Sequence, residues 1–290
     1  MTLSDVLQRG VRNGRIASAM ALLQSRNLLS RSSVLDPAGP VVSLTTFGRR
    51  ARFVHLAIES IARGDLRPSR LVLWLDEEEG LLENLPAPLT RLQKRGLEIH
   101  QSPNCGPHKK YWNHVQSLDR HERPLATADD DQMYPRRWLA SLVEASAEDP
   151  GRIVAHRAHY VVVGETGIEA YRTWPSASSA LVSPRNFGLG VGGVLYPPAF
   201  LDQLRQAGDA FRSVTPRADD VWLHAQALRG GWRVRVLDEL PESEFLPIRG
   251  TGVKGLQETN VGHGGNDTQI ASTYTDADLA LLRSNTSEPV

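Results

Sequence analysis

Between residues 41 and 163, short apolar runs rich in β-branched residues alternate with stretches of helical period, joined by brief connections. That alternation restricts the chain to a mainly parallel sheet covered by helices on both faces. "VVSLTTF" (41–47) reads as the first strand, and "RRARFVHLAIESIARG" (49–64) places Val54, Ala57, Ile58 and Ile61 on one helical face. "SRLVLWLD" (69–76) is a second strand, "LTRLQKRG" (89–96) closes a helix, and "LEIHQSP" (97–103) is a third strand. A helix over 109–118 and a strand over 123–131 follow. Next come a helix over 136–148, with Trp138, Leu139, Leu142 and Val143 inward, and a strand over 151–163.

The second half is less regular: a loop-rich stretch (165–186), then "FGLGVGGVLYPP" (187–198), two helices, the strand "WRVRVL" (232–237) and a polar, glycine-rich tail. With no Pro- or Ser-rich linker, the expectation is one domain over 39–275, followed by a tail over 276–290. Residues 1–38 stand apart as an amphipathic basic helical extension, with Leu3, Val6, Leu7 and Val11 at helical spacing among Arg9, Arg12 and Arg15. Such a segment either packs on the domain or a partner subunit, or makes peripheral contact with an anionic membrane through residues 1–30. Lys plus Arg and Asp plus Glu both number 33, so no overall field attracts nucleic acid. The single cysteine, Cys105, and the lack of a long apolar run lead to the expectation of a cytoplasmic protein, at most at the inner face of the membrane.

"TADDDQMYP" (127–135) is the chemically informative stretch. If Pro135 opens a helix, Tyr134 is its cap and Asp129, Asp130 and Asp131 lie outside it, at the carboxyl end of a strand where open α/β sheets bind ligands. Adjacent carboxylates repel unless a cation is present, and hard ions such as Mg²⁺ or Mn²⁺ take one or two carboxylates plus substrate phosphates. The alternative is a solvated acidic turn favouring the following helix.

Together "SLTTF", "LWLD", "ADDDQMYP", "ADDVWL" and "GHGGND" resemble the nucleotide-sugar-dependent glycosyltransferases of the GT-A fold, especially family 2-like bacterial enzymes of surface polysaccharide assembly, over about residues 40–270. The resemblance implies a GT-A-like, Rossmann-type single α/β domain. It further implies metal-dependent, inverting transfer from a nucleoside diphosphate donor such as a UDP-sugar to a glycan or glycolipid acceptor. Asp129 and Asp131 would be the metal-binding DxD pair for Mn²⁺ or Mg²⁺, with Asp130 supporting them or contacting the ribose. Thr45, Thr46 and Asp76 would hold the nucleotide, although Asp76 also reads as an exposed member of "DEEE". "NCGPHKKYWN" (104–113) resembles a "GPxxK" segment, which makes Lys110 a donor-phosphate contact, against a solvated helix-face lysine.

Inverting transfer needs a carboxylate to take the acceptor proton. By resemblance to an "ED"-type motif, Asp220 is that base. Asp219 is either its partner or the cap of the helix it opens, and the change from "ED" to "DD" leaves either acid as the base. His263, in the glycine-rich "VGHGGNDTQI", would complete the metal shell or remain an exposed loop histidine. "GLGVGG" (188–193) matches G-x-G-x-x-G but precedes "VLYPP" rather than a helix, which rules out a dinucleotide fingerprint; the GT-A resemblance implies instead a glycine-rich strand beside the acceptor. Trp174 and Tyr171 are sugar-stacking candidates or core aromatics. A sugar-phosphate nucleotidyltransferase and a non-catalytic carbohydrate- or partner-binding domain are the competing functions.

Overall fold

The computed structural model describes residues 3–251, 265–284 and 288–289. Helix α1 (Leu3–Leu29) precedes β1 (Val41–Thr45), α2 (Val54–Ala62), β2 (Arg70–Asp76), α3 (Ala87–Gln93), β3 (Leu97–Ser102), α4 (Lys109–Gln116) and β4 (Leu125–Ala128). Then come β5 (Gln132–Met133), α5 (Trp138–Glu148), β6 (Ile153–Ala155), β7 (Ala158–Tyr160), β8 (Leu181–Val182), β9 (Asn186–Gly188) and β10 (Val194–Tyr196). The chain continues through α6 (Pro198–Ala207), α7 (Phe211–Val214), α8 (Asp219–Arg229), β11 (Val234–Val236), β12 (Leu246–Pro247), α9 (Gly265–Thr273), α10 (Asp276–Ser284) and β13 (Glu288–Pro289).

Seven strands form the central sheet, in the order β11-β6-β10-β4-β1-β2-β3. All neighbours are parallel except β10, which runs antiparallel to both β4 and β6. The period of two sorts the strands' side chains onto two cores. Val42, Leu44, Leu71, Leu73 and Leu75 face α2, α3 and α5, whereas Val41, Val72, Leu125, Val194 and Tyr196 face α4, α6 and α8. The chain winds β1-α2-β2-α3-β3 in one direction, then returns through α4 on the opposite face to lay β4 beside β1. That reversal opens a crevice at the carboxyl ends of β1 and β4.

Three sequence expectations are corrected. The run 151–163 is not one strand: β6 ends at Ala155 and β7 pairs instead with β9, outside the central sheet. Helix α5 begins at Trp138 with Arg137 at its cap, not at Pro135. Tyr134 is buried in the core against Trp138, because a large apolar ring is worth more there than at an exposed cap.

Helix α1 docks on the domain through Ile16 and Leu23, which pack with Leu56, Ala57, Met133 and Ile248. Below this contact Glu59, fully buried on α2, receives Arg95, Arg26 at 3.2 Å and Asn27 at 3.1 Å. A buried carboxylate needs such partners. From Gln8 to Arg15 the helix is exposed. Among the described residues, no helix is long and apolar enough to cross a membrane.

Candidate functional site

A cleft of about 1020 Å³ lies over the carboxyl ends of β1, β2 and β4. It brings Thr45, Asp76, Lys110, Asp129, Asp130, Asp131, Asp219 and Asp220 to one wall system. Thr46 does not line it. Its fully buried hydroxyl donates to Asp130 at 2.6 Å, so it acts on the cleft only through that carboxylate. His263 lies outside the described residues.

The acidic turn is held by its neighbours on every side. The buried Tyr134 hydroxyl accepts the Asp129 N–H at 2.6 Å and the Gln132 amide at 3.0 Å, and the Ile248 N–H reaches the Asp131 carbonyl at 2.7 Å. β5 pairs with β12 just beyond. Asp130 is buried, whereas Asp129 and Asp131 keep side-chain surface open to the cleft. Burial and the neighbouring Asp129 push the Asp131 carboxyl up to about 6.

Two cations of the chain itself lie among these acids. Arg50, from the turn after β1, donates to Asp130 at 2.8 Å and lies 3.0 Å from Asp131. Lys110, near the start of α4, donates to Asp129 at 3.1 Å and lies 3.1 Å from Asp219 Oδ2. The second contact is an ion pair without hydrogen-bond alignment, so Asp219 Oδ2 has no directed donor. Burial alone would lower the Lys110 ammonium. Asp129, Asp219 and Asp220 outweigh it and hold the pKa well above the ordinary lysine value, so the group stays charged. The adjacent Lys109 turns to the next strand end and pairs with Asp76, both buried.

Asp219 and Asp220 occupy the first turn of α8, and the helix cap is Ala218, which makes no side-chain cap bond. Asp219 therefore does not cap the helix. Asp220 Oδ1 accepts the Gly190 N–H at 3.0 Å. By accessible surface Asp220 is only half-buried, yet protein surrounds it on the sides away from the cleft. Desolvation, with Asp219 beside it, raises its carboxyl to about 8. An acid so poised can take a proton near neutral pH.

"GLGVGG" forms the wall facing these acids. A Cβ on Gly190 would stand 2.9 Å from Lys110 Nζ and 3.1 Å from Asp220 Oδ1. Gly193, at φ 95°, has no room for a side chain against the Trp138 ring, whose Nε1 donates to the Gly192 carbonyl at 2.7 Å. Gly190→Ala is accordingly expected to fold but to melt below wild type, because the added methyl displaces Lys110 Nζ and Asp220 Oδ1 from their partners; an unchanged melting temperature would show that the close approach is unimportant. Tyr171 also borders the cleft, while Trp174 is buried and donates to the Glu169 carbonyl at 2.9 Å. Cys105 is buried and its thiol is pushed up to about 11 by burial, which leaves it unreactive.

Among the described residues, no group of three or more His, Cys, Asp or Glu side chains converges as a metal centre. Asp129 and Asp131 nonetheless offer hard oxygen donors at an open cleft, where phosphate oxygens and water can fill the remaining positions of Mg²⁺ or Mn²⁺. The Asp131 carboxyl is raised first by burial and then by Asp129, and a bound cation would favour its charged form. These residues fit such an ion as a two-carboxylate site.

No protein family's sequence profile matches the chain, and no curated protein resembles it significantly in sequence. Among solved structures, it is similar to the mannosyltransferase PcManGT from Pyrobaculum calidifontis in complex with GDP-Man and Mn²⁺. The two share 14% identity at a TM-score of 0.53, over 96% of this chain and 78% of that one. The fold is GT-A-like. CMP:2-keto-3-deoxy-manno-octonic acid synthetase complexed with CTP matches at a TM-score of 0.42 and 13% identity, over 68% of this chain and 88% of that one. Residues 1–349 of S. aureus TarS match at 0.41 and 11%, over 69% and 58%.

Within the GT-A-like frame, the acidic turn, the first turn of α8 and the glycine-rich wall converge from three distant parts of the chain. Sequence reasoning missed Arg50, Lys109 and Gly190 as members of this arrangement. "GRR" after the first strand and the second glycine of "GLGVGG" were visible, but neither carries a spacing that names its partner.

Proposed function

We propose that the protein is a glycosyltransferase that moves a sugar from a nucleoside diphosphate donor, a UDP-sugar by its resemblance, to a hydroxyl of a glycan or glycolipid, with inversion. The observation that carries this reading is Asp220, raised to about 8 in the same cleft as the open carboxylates Asp129 and Asp131. Asp220 takes the acceptor hydroxyl's proton as that oxygen attacks the anomeric carbon, and the Gly190 N–H holds the carboxylate in position. Lys110 and Arg50 supply positive charge toward the departing diphosphate, with Thr45 and Asp76 toward the nucleotide. A bound Mn²⁺ or Mg²⁺ would add Lewis-acid stabilisation of that leaving group, with Asp129 and Asp131 holding it. The similarity to a mannosyltransferase bound to GDP-Man and Mn²⁺ supports the fold side of this reading. By the same sequence resemblance that points to a UDP-sugar, the reaction belongs to surface polysaccharide assembly.

Thermal shift with nucleoside diphosphates and nucleotide sugars, each with Mn²⁺, Mg²⁺ or chelator, tests donor class. Release of nucleoside diphosphate on incubation with acceptor supports transfer, whereas pyrophosphate formed from a nucleoside triphosphate and a sugar phosphate would make the protein a nucleotidyltransferase. Asp131→Ala is expected to abolish the metal-dependent part of the donor shift and leave the metal-free part. A variant that still responds to Mn²⁺ as the wild type does would remove Asp131 from the cation site.

A further inference from the structure

A second cavity, of about 330 Å³, lies between α1, the end of α2, the start of α5 and the segment leading to β12, and shares no lining residue with the cleft. Its walls carry Arg15, Arg63, Arg136 and Arg137 against a single acid, Glu244. Three of these arginines have carboxylate partners: Arg136 with Asp65 at 2.8 Å, Arg137 with Glu144 at 2.7 Å, and Arg15 with Glu244 at 4.0 Å. Arg63 is different. Its Nε is buried without a hydrogen-bond partner, and the charges that act on it are the cations Arg136 and Arg26. Burial, reinforced by those two cations, lowers its pKa from the ordinary arginine value. Its place at the C-terminal end of α2 favours a cation but gives Nε no acceptor. An orphaned buried donor costs stability unless something fills it.

We propose that this cavity binds a phosphate group attached to an apolar moiety, with the half-buried Arg63 as its innermost contact and Arg15, Arg136 and Arg137 around the anion. Guanidinium forks match phosphate oxygens, and Arg63, unlike the other three, brings a charge that no carboxylate offsets. Ala19, Leu23, Met133, Leu240 and Leu246 give the same cavity an apolar side. Arg12, exposed and one turn before Arg15, continues the basic line along α1. A lipid headgroup and a soluble phosphate ester share this chemistry.

The test compares wild type with Arg63→Met in two arms: inorganic phosphate followed by thermal shift, and co-sedimentation with phosphatidylcholine vesicles with or without phosphatidylglycerol. Loss of one charge-assisted contact is expected to weaken the affected binding about tenfold. A difference confined to phosphatidylglycerol vesicles identifies a lipid headgroup, and a difference with free phosphate identifies a soluble source. In anion-free buffer, Arg63→Met is expected to melt at or above the wild-type temperature, since it removes the unsatisfied Nε–H of a half-buried arginine and its repulsion from Arg136 and Arg26. Equal behaviour of variant and wild type in both arms, or no binding by wild type in either, overturns the proposal. Should Arg63→Met fail to fold, the exposed Arg136→Gln is read in the same way.

Discussion

Asp220→Asn is expected to bind donor as the wild type does and to lose about 10²- to 10⁴-fold in kcat, the usual contribution of a positioned general base. The amide keeps the carboxylate's shape and can still accept the Gly190 N–H, so the wall of the cleft should not move. The pH dependence follows from the raised carboxyl. Asp220 must be ionised to accept a proton, so wild-type kcat/KM should rise with pH along a limb centred near 8. Stability should run the other way. A folded-state pKa above the ordinary carboxylate value favours the protonated form, and that contribution is lost as pH rises through about 8. Above that pH the variant, with no charge to bury, should melt higher than wild type. Stopped-time transfer assays with parallel donor titrations decide the matter, and wild-type turnover in the variant would remove Asp220 from the chemistry.

Lys110→Met is expected to be strongly destabilising. The ammonium is buried between Asp129 and Asp219, and its removal leaves both acids facing each other without a cation. Breaking a buried pair from one side costs about 3–5 kcal/mol. The lower end applies here, because the Asp129 side chain keeps 26% of its surface in solvent. Denaturant melts should show that loss at neutral pH and a smaller one in acid, where the stranded carboxylates take up protons. Mn²⁺ should then stabilise Lys110→Met more than it stabilises wild type, since an ion can replace the missing charge. A melting point equal to wild type would mean that Lys110 is a surface group of no electrostatic consequence.

These two experiments bear on the question raised by three consecutive aspartates. The triplet is not a bare anionic patch. Arg50 neutralises its buried middle member, Lys110 bridges its first member to α8, and the third keeps a raised carboxyl beside both. On the proposed function, a diphosphate with a divalent ion would enter a cleft whose charges are already interleaved, and its affinity would depend on rearranging Lys110 and Arg50 as well as on filling the space.

Much of the first half of the fold is legible because hydrophobic period is a local property. Val42, Leu44, Leu71 and Leu73 announce one buried face by their spacing, and their strands lie where the pattern puts them. The apolar run 151–163 misleads for the same reason: it reads as one strand, and nothing local marks the chain's exit from the sheet after Ala155. Tyr134 likewise has the position of a cap in sequence, but the depth of the core beside Trp138 claims its ring.

The amino-acid sequence by itself determined an α/β fold with its acidic turn at the end of a central strand, because side-chain period and turn chemistry act over a few residues. Only the tertiary structure decided which charges meet. Arg50 and Asp130 lie 80 residues apart, and no periodicity pairs a cation with one acid among many. The elevated Asp220, the bridging Lys110 and the glycine pressed against both exist only once α4, α8 and the wall before β10 come together around one cleft and take these groups out of full contact with water. Desolvation and Coulomb energy act through space rather than along the chain.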